Sequence, residues 1–279
     1  LLVLIGAALT NLLVNSMRVS SGQLVQADLQ SNVRTGGLVL PLELREVGYD
    51  SAIVAPFTVT SDLETINASF VQFRAGRGFS STCGTPSTTE WRIRKPAYGM
   101  RAPAITDGFM LYVENDPNQG ADDQWIPLVV TAINADGLCG TDSAYILTTS
   151  APDYHGVPMV MTQVFVGGPV RYYERMRFGS FVDADGRSYV GARSMSGGDP
   201  GYRAVAGPIN PVGGLAFRYF ARDGSLLDPS VAAPVSVRTM EVTISGQSRS
   251  AVTLAGTLPR TTRGMTTTTR VALRNTLKH

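Results

Sequence analysis

The sequence predicts an α+β fold: one long N-terminal helix packed on a mostly antiparallel β-sheet body. Three observations predict it. A charge-free apolar run over residues 1–14 continues, without Gly-Pro or Asn-Gly punctuation, into an amphipathic stretch that reaches Val47. Beyond Asp50 the grammar changes to short runs rich in β-branched and aromatic residues. Asp-Gly dipeptides at Asp107-Gly108, Asp136-Gly137, Asp185-Gly186 and Asp223-Gly224 punctuate those runs, and Asp-Gly between alternating apolar residues is a strong hairpin signal.

The helix comes first. Leu1, Leu2, Val3, Leu4, Ile5, Gly6, Ala7, Ala8, Leu9, Leu12, Leu13 and Val14 make its opening apolar on every face, which suits a membrane or a filament core better than a surface. The run is short for a complete span, which needs about 20 apolar residues. It lacks the basic start and small-residue cleavage pattern of a signal peptide. The expectation is the remainder of a longer span that begins upstream. From residue 21 the spacing of Leu24, Leu29, Val33, Leu40, Leu44 and Val47 gives one apolar stripe for the body to pack on. Gly36-Gly37 and Pro41 predict a local bend, and Gly48 a C-cap. Three segments follow: an apolar membrane-embedded or filament-core segment over 1–20, an amphipathic helix over 21–50, and a β-rich body over 51–279.

In the body, strands are predicted over 68–74, 90–94, 108–113, 124–132, 144–149, 159–166, 170–177, 180–182, 188–193, 212–221, 235–245 and 266–273. The composition agrees, because 43% hydrophobic residues, 16% charged residues, 29 glycines and 16 prolines fit a turn-rich body with an ample core. A net charge of +2 implies no polyanion partner for the molecule as a whole. The two cysteines, Cys83 and Cys139, form no Cys-x-x-Cys pair, which excludes zinc ribbons and dithiol redox motifs. A disulfide in an oxidising compartment is the preferred reading, with two buried thiols as the alternative.

Specific residues then match a family. Leu42-Glu43-Leu44-Arg45-Glu46-Val47-Gly48-Tyr49-Asp50 closes the helix. A strand–turn unit follows over 212–224, then a strand over 237–244, and the chain nears its end with Thr269-Arg270-Val271-Ala272-Leu273-Arg274-Asn275. In this order they resemble the minor pilins of type IV pili, closest to the PilW-like group and the J-type pseudopilins of type II secretion. The resemblance covers about half of the chain, since 61–211 does not align. It implies a filament subunit that is cut by a prepilin peptidase, held in the bacterial inner membrane by a single pass with its body outside, and assembled with other pilins or pseudopilins to support filament initiation, tip assembly or DNA uptake. The cleavage glycine and the acidic residue of the processed start are not in this sequence, so about six residues are expected upstream. A pilin-anchored surface adhesin is the alternative, and the long unaligned middle is its discriminating feature.

No catalytic constellation is legible. His155 and His279 are the only histidines, and no Ser-His-Asp order, nucleophile elbow or phosphate loop occurs. The chain reads as a non-enzyme without a required cofactor. One acidic loop, Glu114, Asp116, Asn118, Asp122 and Asp123, has the oxygen density that Ca²⁺ favours, and a solvated hairpin loop is the plainer reading. Asp183-Ala184-Asp185-Gly186 reads as a hairpin turn. After Glu241 the chain has no acidic residue, so Arg249, Arg260, Arg263, Arg270, Arg274 and Lys278 are candidates for a DNA-binding stripe. A solvated edge-strand face is the alternative. Thr10 and Asn11, polar groups within the apolar rod, bond either to their own helix or to a neighbouring one.

Overall fold

The computed structural model describes residues 2–45, 47, 53–54, 58–59, 61–84, 87, 89–95, 97–99, 101–113, 118, 124–150, 166–196, 201–251 and 261–273. Helix α1 (Leu2–Arg45) runs unbroken through Gly36-Gly37 and Pro41. The Val47 amide closes its last turn by donating to the Leu44 carbonyl.

All described strand pairings are antiparallel. β1 (Ile53–Val54) and β2 (Thr58–Val59) form a separate small ladder. The other strands are β3 (Leu63–Ile66), β4 (Phe70–Ser81), β5 (Glu90–Arg94), β6 (Tyr98–Gly99), β7 (Gly108–Val113), β8 (Gln124–Cys139), β9 (Asp142–Thr149), β10 (Pro169–Val182), β11 (Ser188–Ser194), β12 (Arg203–Ile209), β13 (Leu215–Phe220), β14 (Leu226–Leu227), β15 (Thr239–Gln247) and β16 (Gly264–Ala272). They join one fourteen-stranded system.

β10 is its spine. It pairs along β4 on one side, and on the other with β7 near its start and β11 near its end. Two cores result. The first lies under α1, between the helix and β3, β4, β10, β11, β12, β13, β15 and β16, with Leu40, Leu44, Phe73, Tyr219, Met240 and Ile244 buried in it. The second is built from β5, β7, β8, β9 and the start of β10, around Trp91, Ile93, Phe109, Leu111, Leu147 and Tyr172. Alternation explains β15, whose Met240, Val242 and Ile244 face the first core while Glu241 and Thr243 face outward.

The α+β class expected from the sequence is corrected by this arrangement. The sheet dominates, and the fold is a mainly-β chain with a single long helix among the described residues. The expected membrane segment is corrected as well: among the described residues, no helix is long and apolar enough to cross a membrane. From Ile5 onward Thr10, Asn11, Asn15, Ser16 and Arg18 interrupt the apolar run before it reaches the length that a hydrocarbon core requires. The membrane-embedded first half of the helix and the single-pass inner-membrane localisation are accordingly dropped.

Two expected turns also differ. Asp136-Gly137 lies inside β8 at an irregularity of the β8–β9 register, and the reversal falls later, at Gly140, whose φ is +66°. Asp107 precedes β7 as a buried carboxylate rather than as a turn tip. The strands expected over 170–177 and 180–182 are one strand, β10, and 235–236 belongs to a 3-10 turn.

Candidate functional site

The site with functional potential is the helix itself, because its two halves stand in different surroundings. In the second half Leu29, Val33, Leu40 and Leu44 are buried against β12, β15 and β16, with Val47 buried just beyond. Glycines allow this close approach. Gly36 faces Ala206 and Ile244, Gly37 faces Thr267, and Gly246 lies against Val33 and Leu29. Burying side chains of this size contributes roughly 1.5–3 kcal/mol each as an upper estimate, so the seam holds the helix firmly to the sheet.

Electrostatics fix the same end. Glu43 meets Arg77 at 3.4 Å, and Arg77 Nε donates to Glu174 at 2.9 Å. Arg101 forks onto buried Asp107 at 2.6 and 2.7 Å and reaches Glu174 at 3.5 Å. The Tyr172 hydroxyl donates to the Arg101 carbonyl at 2.5 Å. The hydrogen bond to Asp107 leads in raising the Arg101 pKa, against burial that lowers it. Burial works to raise the Glu174 pKa, but Ser194, Arg77 and Arg101 outweigh it and hold the carboxyl below its ordinary value. This network joins α1 to β4, β10 and the segment before β7, and each of its three carboxylates meets one of its two guanidinium groups. It clamps the helix and presents no unpaired acid or base.

The first half of α1 stands free. Every described side chain over 5–21 is exposed, and the first buried residue is Leu29. That leaves an arm of about 36 Å at 1.5 Å per residue. Its apolar side chains face solvent: Ile5, Leu9, Leu13 and Met17 are exposed, and Leu12 and Leu24 are 70% and 69% exposed. Ala8, Leu12, Asn15, Ser16, Val19, Ser20 and Gln23 line a shallow groove along one side of the arm. The Thr10 hydroxyl donates to the Gly6 carbonyl at 2.9 Å, so it is satisfied within its own helix. An isolated helix this apolar is unstable in water without a partner surface.

The remaining candidates divide. Of the residues proposed for the apolar rod, Ile5, Gly6, Ala7, Ala8, Leu9, Leu12, Leu13 and Val14 are exposed on the arm; Leu1 lies outside the described residues. Leu24, placed by its spacing in the stripe facing the body, is exposed instead. Cys83 and Cys139 form a disulfide with their Cα atoms 5.7 Å apart. In the calcium loop only Asn118 is described; Glu114, Asp116, Asp122 and Asp123 lie outside, as do His155 and His279. Among the described residues no cluster of His, Cys, Asp and Glu is grouped to hold a metal ion.

For the basic stripe, Arg249, Arg263 and Arg270 are described, and Arg260, Arg274 and Lys278 are not. Arg263 and Arg270 flank most of β16, about 23 Å apart along the strand. Arg270 pairs with Glu241 at 3.2 Å and lies over the Phe220 ring, which leaves it poorly placed for phosphate. The structure therefore leaves the apolar arm exposed and sets Arg263 and Arg270 apart, with Arg249 next to Ser248, whose amide donates to the Arg263 carbonyl at 2.8 Å. Sequence reasoning missed the clamp around Arg77 and Glu174, because a buried ion network across distant strands leaves no local signal. It also missed the outward face of the docked helix, where Leu38 and Leu42 are exposed. Comparison with protein-family profiles, with curated proteins and with solved structures finds no match.

Proposed function

We propose that this chain is a structural subunit of a type IV pilin-like filament, acting as a minor pilin or pseudopilin. One observation carries the reading: a helical arm with exposed leucines along it extends from a body that grips only its other half. Such an arm gains stability when other helices cover it, and its small residues Gly6, Ala7 and Ala8 permit close approach. The docked half then carries the load from arm to body through the clamp of Glu43, Arg77 and Glu174. The pilin-like residues at the two ends of the sequence support the same reading. Its role is assembly, with no catalytic step assigned.

The test compares the full chain with a Leu9→Asp/Leu13→Asp variant by sedimentation and electron microscopy, alone and mixed with candidate pilin partners. Assembly of the parent chain and its loss in the variant, with the body still folded by circular dichroism, is the expected result. A parent chain that stays monomeric with every partner, or a variant that assembles equally well, rejects the proposal.

A further inference from the structure

The arm carries only two charges over residues 5–28, Arg18 and Asp28, of opposite sign and ten residues apart. Both are exposed, and among the described residues neither has an opposite charge on its own chain within reach. They also cannot meet each other, because ten residues of helix separate them by about 15 Å along the axis. Glu43, the next acidic residue along the helix, is already held by Arg77.

The same ten-residue step relates more than the charges. It carries Ala7 onto Met17, Val14 onto Leu24 and Arg18 onto Asp28. A small residue meets a large one, an apolar residue meets an apolar one, and a cation meets an anion. Ala7, Val14 and Arg18 form one row along the arm. Met17, Leu24 and Asp28 form a second row, about 80° around the helix from the first.

We infer that the partner of the arm is a second copy of this chain, parallel and shifted by ten residues, with Arg18 of one copy paired to Asp28 of the next. This rests on the filament reading above and specifies its contact. The two rows are different surfaces, so the interface is head-to-tail. Each copy offers one row forward and the other backward, and the contact propagates with a step of about 15 Å instead of closing into a dimer. Between apolar arms the ion pair is shielded from water, so a single unmatched charge opposes assembly and sets the register. An antiparallel pair would also bring Arg18 to Asp28. However, it sets Val14 against Asn32, where the parallel shift sets Val14 against Leu24.

A charge swap in the full chain tests this. Arg18→Asp alone and Asp28→Arg alone are each expected to lower the assembled fraction about tenfold or more in sedimentation. The double variant, and a one-to-one mixture of the two single variants, are expected to recover it. Retained fold is checked by circular dichroism, since neither side chain touches the core. Register is read by disulfide trapping: Val14→Cys with Leu24→Cys links copies in the parallel shift, whereas Val14→Cys with Asn32→Cys links them only if antiparallel. If the parent assembles but either single variant assembles equally, or the swap fails to restore assembly, or only the antiparallel pair links, this contact is overturned while the filament reading stands. A parent chain that assembles only when mixed with other pilins also overturns this contact alone, and one that assembles neither alone nor mixed overturns both.

Discussion

Gly36 of the helix and Ala206 of β12 meet so closely that a Cβ added to the glycine would lie 2.8 Å from the alanine Cβ. The same added atom would lie 2.9 Å from Ile244 Cδ1. Ile244 can swing its terminal methyl aside, whereas the Ala206 Cβ moves only with its strand. Gly36→Ala therefore sets a gain in helix propensity of about 1 kcal/mol against an overpacking cost of about 1–3 kcal/mol. Net destabilisation in urea unfolding is expected. Gly22→Ala is the control, because nothing lies within 4 Å of the added atom there. It should raise arm helicity without loss of body stability. Equal effects at the two positions would contradict the close seam.

How much of this was legible in the sequence varies by element. The 3.6-residue spacing of Leu29, Val33, Leu40 and Leu44 placed the docked face correctly, and all four are buried. The same stripe misassigned Leu24, because periodicity gives a face but not where along the helix the body begins. Runs with clean ends, 90–94 and 108–113, coincide with β5 and β7. β12 was missed: Arg203–Ile209 holds a glycine and a proline and reads as loop, yet β11 pairs with it. The clamp was invisible because Arg77 and Glu174 are 97 residues apart in the chain. Pairing of β4 with β10 is long-range in the same way, and only tertiary packing selects it. In the candidate site, the apolar run was legible in the residues that form the exposed arm, but its lack of charge over residues 1–14 argued for a bilayer, which no helix among the described residues is long and apolar enough to cross.

Glu174 predicts an acid limb of instability. Its pKa is depressed in the folded state below the ordinary value of 4.5. The stability it contributes is thus fully present above that ordinary value and is lost as pH falls through the depressed folded value. Urea midpoints for the parent should drop over this acidic window. Glu174→Gln should flatten the drop while lowering the neutral-pH midpoint, since Arg77 and Arg101 then lose the charge of the carboxylate that they share. An unchanged acid limb in Glu174→Gln would assign the loss to other carboxylates.

Tyr219 predicts a hydrogen-bond cost without a change of shape. Its ring is fully buried, and its hydroxyl donates to the Asn67 carbonyl at 2.8 Å while accepting from the Asn67 amide at 3.2 Å. One phenol thus ties β13 to the β3–β4 hairpin. Tyr219→Phe keeps the packing but takes away the donor to the Asn67 carbonyl, while the Asn67 amide keeps its bond to the Phe70 carbonyl at 3.1 Å, an expected loss of about 1–3 kcal/mol. Burial pushes the phenol well above its ordinary value of 10.0, against the opposing effect of Asn67. Stability is accordingly intact below that ordinary value and declines above it, because the unfolded chain releases the proton first. The phenylalanine variant should lose this alkaline dependence. A variant as stable as the parent at neutral pH would show that water satisfies Asn67 instead.

The disulfide predicts a loss concentrated in the second core. Cys83 and Cys139 close a loop with a sequence separation of 56, for which the chain-entropy relation gives about 4 kcal/mol, and measured cases more often give about 2–4 kcal/mol. The bond ties the segment after β4 to the end of β8. The neighbouring contacts are local to that sheet: the Cys83 amide donates to the Arg92 carbonyl at 2.7 Å, and Trp91 Nε1 donates to Thr149 Oγ1 at 2.9 Å. The Cys83→Ala/Cys139→Ala variant should unfold at lower urea. In it, amide exchange should accelerate more in β5, β8 and β9 than in β13 and β15, because the first core is held by α1 and its own strands. A uniform acceleration across both regions would show that the two cores unfold as one unit. Faster exchange in β13 and β15 than in β5 would mean that the bond stabilises the helix-bound core from a distance, contrary to the local reach of its contacts.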